Sequence, residues 1–165
     1  MSVTLILLPL ALAAAAAAGG VGAIGAAVTA KGGNADEHAR PEIRVRTRMK
    51  DSTLLTDALT NLGATAIDVS RTRVTAEVDG VSLTMTLTED AVWEAHVEGL
   101  DGRDVTVVSA TELLQRLDTE YAGMVQQAVA EKIRARAEGS GFELVSETRE
   151  ADDTVTMVLN VRAGA

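Results

Sequence analysis

"EIRVRTRMKDSTLLTDALTNLG", residues 42–63, changes its hydrophobic period at Lys50–Asp51, and the fold class follows from that change. Before it, Ile43, Val45, Thr47 and Met49 alternate with Arg44, Arg46, Arg48 and Lys50, the period of a strand with one buried face. After it, Leu54, Leu55, Ala58, Leu59 and Leu62 recur at helical spacing. Asp51 or Ser52 supplies the N-cap and Gly63 the stop.

Downstream the period-two pattern returns. "TAIDVS" (65–70) precedes "RVTAEVDGVSLTMTL" (73–87), in which Asp79-Gly80 marks a hairpin turn. Val74, Ala76 and Val78 point inward before the turn, and Val81, Leu83, Met85 and Leu87 after it. "VWEAHVEGL" (92–100) is a further strand and "DVTVV" (104–108) a short one. Ser109-x-x-Glu112 reads as a capping box. It opens a long helix with Leu114, Leu117, Tyr121, Met124, Val125 and Ala128 as its inner stripe and Gly139-Ser140-Gly141 as its end. "FELVSETR" (142–149) and "TVTMVLNVR" (154–162) form a closing hairpin. The expected class is α+β: a mainly antiparallel sheet with two helices on one face, preceded by an N-terminal hydrophobic helix.

That leading helix is expected over residues 1–30, which carry no charged side chain. Gly20, Gly22 and Gly25 spell G-x-G-x-x-G, but they follow an alanine run and precede a breaker-rich loop. A dinucleotide site needs a strand before the glycines and a helix after them. Export with cleavage after Ala30 is the alternative, weakened by the lack of Lys or Arg before the apolar run. A retained span is favoured, because about 20 apolar residues cross a bilayer. Leu5, Ile6, Leu7, Leu8, Leu10 and Leu12 carry most of its insertion drive.

On a helix, Ala15, Gly19, Ala23 and Ala27 form one row and Ala18, Gly22, Ala26 and Ala30 the next, opposite Val21, Ile24 and Val28. Such a small-residue face packs helices closely, so Ala15, Gly19, Gly22, Ala23 and Ala26 are the candidate contacts for a homo-oligomer or a partner membrane helix. Residues 31–41 form a linker and 42–165 an acidic domain. Cations after the span place that domain in the cytoplasm.

Chemistry is sparse. The net charge of −9 disfavours nucleic acid as a partner, and the lack of cysteine excludes thiolate metal sites and disulfides. His38 and His96 are too far apart in sequence to suggest a metal. The acidic pairs Glu89-Asp90, Asp101 with Asp104, and Asp152-Asp153 fall at turns, where carboxylates are solvated. No motif calls for a cofactor or a catalytic residue. Arg44, Arg46, Arg48 and Lys50 form the sharpest surface feature. They suit either cross-strand pairing with carboxylates such as Glu77 and Asp79 or contact with anionic lipid or a partner.

Leu62-Gly63, Tyr121-Ala122, Gly141-Phe142, Glu147 and Val158 to Val161 make most of residues 43–162 resemble the hypothetical chloroplast reading frame 35 family, a domain of unknown function in plastids and bacteria. The resemblance implies an α+β fold and no known enzyme activity. The expected function is a membrane-anchored, non-enzymatic scaffold or adaptor presenting its domain to a cytoplasmic protein. The alternative is an exported small domain, cleaved after Ala30, that binds a ligand or envelope component, and an enzyme of unrecognised type comes third.

Overall fold

A computed structural model describes residues 2–8 and 43–162. The elements in chain order are β1 (Ser2–Leu7), β2 (Ile43–Arg46), α1 (Ser52–Asn61), β3 (Thr65–Val69), β4 (Arg73–Val78), β5 (Val81–Leu87), β6 (Trp93–Gly99), α2 (Val107–Gly139), β7 (Phe142–Arg149) and β8 (Val155–Val161). Among the described residues the fold is α+β, with two α-helices and antiparallel strand pairing. The strands form two sheets, β2-β6-β5-β4-β3 and β1-β8-β7, in two compact units. Helix α2 gives its residues up to Tyr121 to the first unit and those from Ala122 to the second.

In the five-stranded unit the expected alternation is realised. Ile43, Val45, Val74, Ala76, Val78, Leu83, Met85, Trp93, Ala95 and Val97 are buried, and their alternates are not. Asp79 and Gly80 both have positive φ (54° and 79°), the turn that matches strand twist in a two-residue hairpin. Helix α1 buries Leu55, Ala58 and Leu59. Asp51 is its N-cap, accepting from the Thr53 and Leu54 N–H groups at 2.8 and 3.1 Å. Its far end closes as a Schellman motif: Gly63, at φ 78°, donates to the Thr60 carbonyl and Ala64 to that of Leu59.

The junction between β2 and α1 is held by two of the chain's three aromatic residues. The Tyr121 hydroxyl accepts from the Lys50 and Asp51 N–H groups at 3.0 and 2.9 Å. The Trp93 indole donates to the Lys50 carbonyl at 3.3 Å. Turning from strand to helix leaves these backbone groups without ladder partners, and the two side chains satisfy them.

Helix α2 begins at Val107, two residues before the expected capping box. Thr106 Oγ1 accepts from the Ser109 N–H at 3.1 Å, and Ser109 Oγ accepts from the Thr106 N–H at 3.2 Å. Ser109 thus fills the third helical position of a reciprocal box that Thr106 caps. The first half buries Ala110, Leu113, Leu114, Leu117 and Tyr121. The second half then changes face. Ala122, Gln126, Ala130 and Ala137 are buried, whereas Met124, Val125 and Ala128 are only half-buried.

In the three-stranded unit Ala130, Val155 and Met157 form the core, with Leu5, Leu7, Ile133 and Leu144 against it. Gln126 ties the elements together. Its amide donates to the Leu7 carbonyl (2.9 Å) and the Asp153 carbonyl (2.6 Å), and its oxygen accepts from Arg149 (3.3 Å).

The N-terminus departs from expectation. Ser2–Leu7 is a strand, not the start of a hydrophobic helix, and pairs with β8 in continuous register from Ser2↔Asn160 to Leu7↔Val155. Short apolar runs do not distinguish strand from helix by periodicity, and the β-branched Val3, Thr4 and Ile6 suit the strand. The expected single-pass membrane location, with a cytoplasmic C-terminal domain, is overturned. Among the described residues no helix is long and apolar enough to cross a membrane. Helix α2 has the length, with 33 residues, but carries charges along it from Glu112 to Arg136. The helix-packing positions Ala15, Gly19, Gly22, Ala23 and Ala26, the cleavage point after Ala30 and the linker 31–41 lie outside the described residues.

Tyr121→Phe removes one oxygen and leaves the N–H groups of Lys50 and Asp51 without their acceptor. Urea unfolding should register a loss of about 1 kcal/mol, the scale of hydrogen bonds lost at a part-buried junction.

Candidate functional site

The faces of the five-stranded sheet differ in kind. One is buried and apolar. The other presents polar side chains in rows fixed by strand register. Arg44, His96, Thr84, Thr75 and Asp68 lie side by side on β2, β6, β5, β4 and β3. Arg46, Glu94, Thr86 and Arg73 form the next row, and Glu98, Ser82, Glu77 and Thr65 the row on the other side. At about 4.8 Å between strands, a five-strand row extends roughly 19 Å. His96 sits near the middle, with its Nε2 3.2 Å from the Glu94 carboxylate.

The basic ladder of β2 borders this face, and two of its members are engaged with carboxylates. Arg46 pairs with Asp90. Arg48 meets Asp118 of α2 through two hydrogen bonds, at 2.8 and 2.6 Å. Arg44 also has an interaction partner. Lys50 has an exposed side chain and is fixed through its backbone by Tyr121 and Trp93. Asp79, expected opposite the ladder, instead accepts from Arg116 at 2.6 Å.

Two concavities flank α2 in this unit. One, of about 170 Å³, lies between the β4–β5 turn and the helix, lined by Asp79, Val81, Val97, Val105, Leu113 and Arg116. The other is an open groove of about 500 Å³ along Leu62, Glu112, Gln115, Arg116, Thr119 and Glu120. The smaller one falls below the roughly 300–1,000 Å³ usual for small-molecule sites. The groove is lined almost wholly by exposed polar side chains of one helix. No group of three or more His, Asp or Glu among the described residues is placed to hold a metal. His38 lies outside those residues.

The clearest electrostatic perturbations fall in the three-stranded unit. Arg134 donates twice to Glu147, at 2.8 and 2.6 Å, holding the carboxyl below its ordinary range and the guanidinium above its own. Asp152 is likewise lowered, because its carboxylate accepts from Thr154 at the hairpin turn. Both groups brace the β7–β8 hairpin.

The sequence singled out the arginines of β2 but not the rows they begin. Thr75, Thr84, Thr86 and Arg73 are the outward alternates of the residues it placed inside. The Asp79-Gly80 turn fixes their register, so the signal was present. No protein-family model, curated protein or solved structure matches this chain.

Glu147 titrates below its unfolded value, so its pairing with Arg134 contributes fully at neutral pH and is lost as pH falls through the lowered folded value. Glu147→Gln should therefore lower the urea midpoint at pH 7. The gap to the parent should close on acidification through and below the ordinary glutamate value of about 4.3.

Proposed function

We propose that this protein is a non-enzymatic binding module, a scaffold or adaptor that presents the open face of its five-stranded sheet to a protein partner. The observation that carries this is the set of three registered rows, in which Arg44, Arg46 and Arg73 are interspersed with Glu77, Glu94, Glu98 and Asp68. Mixed charge on a pre-formed surface suits another protein's mixed charge. A uniformly anionic nucleic acid or lipid surface would favour a basic field, and this chain's net charge is −9. Hydroxyls of Thr75, Thr84, Thr86 and Ser82 add donors and acceptors between the charges.

No aromatic residue stands in the rows, so the interface lacks the anchors that dominate tight complexes. Binding through this face is therefore transient and sensitive to salt. Membership of the hypothetical chloroplast reading frame 35 family is part of the same proposal. It is supported by the roles of the residues that suggested it: Gly63 ends α1, the Tyr121 hydroxyl holds the β2–α1 junction, and Gly141, at φ 78°, leads into β7.

The test uses the full-length chain as bait in extracts of its own cells, with cross-linking to locate the contact. Thr84→Arg combined with Glu94→Arg should reduce capture of the cross-linked partner at least tenfold while leaving the urea midpoint unchanged. Gln115→Arg, on the helical side, should leave capture intact. Equal capture by the sheet-face variant would show that these rows are only a solvated surface.

A further inference from the structure

The two sheets have four edges among the described residues, and three carry features that block pairing with another strand. β2 spans four residues, of which Arg44 and Arg46 are charged. β3 is interrupted by a register shift between Thr65 and Asp68, with Ala66 at φ 49°. β7 has a register shift between Leu144 and Ser146 and bears Glu143, Glu147 and Arg149. Short edges, charges and bulges are the usual protections against edge-to-edge association.

β1 has none of them. Its six residues, SVTLIL, carry no charge and run in unbroken register with β8, which lies between β1 and β7. The opposite edge of β1 therefore offers a row of backbone N–H and C=O groups. The apolar side chains beside that row are exposed: Val3 is 42%, Ile6 61% and Leu8 70% accessible.

We propose that this edge pairs with β1 of a second copy of the chain, joining two three-stranded sheets into one six-stranded sheet about a two-fold axis. The occupant follows from charge and from symmetry. The chain's net charge is −9, so its charged surfaces repel a second copy, but two β1 strands meet with no charge between them. A two-fold contact requires the strand to complement itself.

Directly opposed residues in an antiparallel pair share a face. The register that sets Leu5 against its own copy also sets Val3 against Leu7 and Thr4 against Ile6. Val3, Leu5 and Leu7 lie opposite Leu159, Met157 and Val155, so this register continues the inward apolar layer from one copy into the next. The outward face then matches Thr4 with Ile6, a pair whose mutation leaves the core in place.

Light scattering during size exclusion of the full-length chain tests this. The parent should run at twice the chain mass. Thr4→Lys with Ile6→Lys sets ammonium against ammonium at both symmetry-related pairs and should run as a monomer. Thr4→Lys with Ile6→Glu sets ammonium against carboxylate at the same pairs and should remain a dimer. Both must unfold at the parent's urea midpoint measured in the monomeric range, which separates lost association from lost folding.

A second, independent test uses the absence of cysteine from the chain. Opposed residues on antiparallel strands have Cα atoms about 4.5–5.5 Å apart, within the range of about 4.4–6.8 Å for a disulfide. Under mild oxidation Leu5→Cys should convert to a covalent dimer and Thr119→Cys, on α2, should not. A monomeric parent, a dimeric double-lysine variant or an uncrosslinked Leu5→Cys would each overturn the proposal. Those results would leave the edge to another protein's strand or to the chain's own segment 9–42.

Discussion

Helix α2 contributes buried residues to each of the two units, the part up to Tyr121 to one and the part from Ala122 to the other. Helix α2 must therefore present different stripes at different heights. Ala110, Leu113, Leu114, Leu117 and Tyr121 are buried in the first half, and Ala122, Gln126, Ala130 and Ala137 in the second. A straight helix drifts slowly past any fixed line, so a change of buried face needs a local change in composition. Tyr121 and Ala122 are adjacent and both buried, and they mark that change. On one side the tyrosine hydroxyl holds the β2–α1 junction. On the other, Gln126 serves the ends of β1 and of the β7–β8 hairpin. The polar groups of the helix are placed where each unit has backbone groups that no ladder satisfies.

The five-stranded unit was legible because its signals are local. Alternation from Ile43 to Met49, the Asp79-Gly80 turn and the Asp51 and Gly63 caps each follow from a few neighbouring residues. The strands they delimit pair with neighbours in sequence, apart from β2 on β6. The N-terminal stretch was not legible in the same way. Leu5, Ile6, Leu7 and Leu8 form a continuous apolar run, consistent with a buried strand or a helix, and the partner that decides lies at the other end of the chain. The helix stripe beyond Tyr121 was misplaced for a related reason. Met124, Val125 and Ala128 extend the first unit's apolar period, whereas Ala122, Gln126 and Ala130 meet a sheet formed from the two ends of the sequence.

The candidate face was half legible. The arginines stood out because four cations alternate with four inward residues. Their partners did not, since Asp90 and Asp118 come from a turn and from α2. Arg46 and Arg48 are so engaged within the five-stranded unit. What the sheet then offers is a surface of mixed charge and hydroxyls, the basis of the protein contact proposed for it. The neutral edge of β1 is a different kind of surface, bare where the other edges are protected. Its neutrality is the property that made residues 2–8 resemble the start of a membrane segment.

The three-stranded sheet, and the pairing edge proposed for it, depend on residues 2–7 forming the outer strand beside β8. Nuclear magnetic resonance of the full-length chain tests this directly. Leu5 should show extended-strand Cα shifts, and its backbone should give cross-strand contacts to Met157, with Val3 to Leu159 and Leu7 to Val155 in the same register. Helical shifts running from Val3 through Leu8, with no contact to residues 155–160, would contradict it.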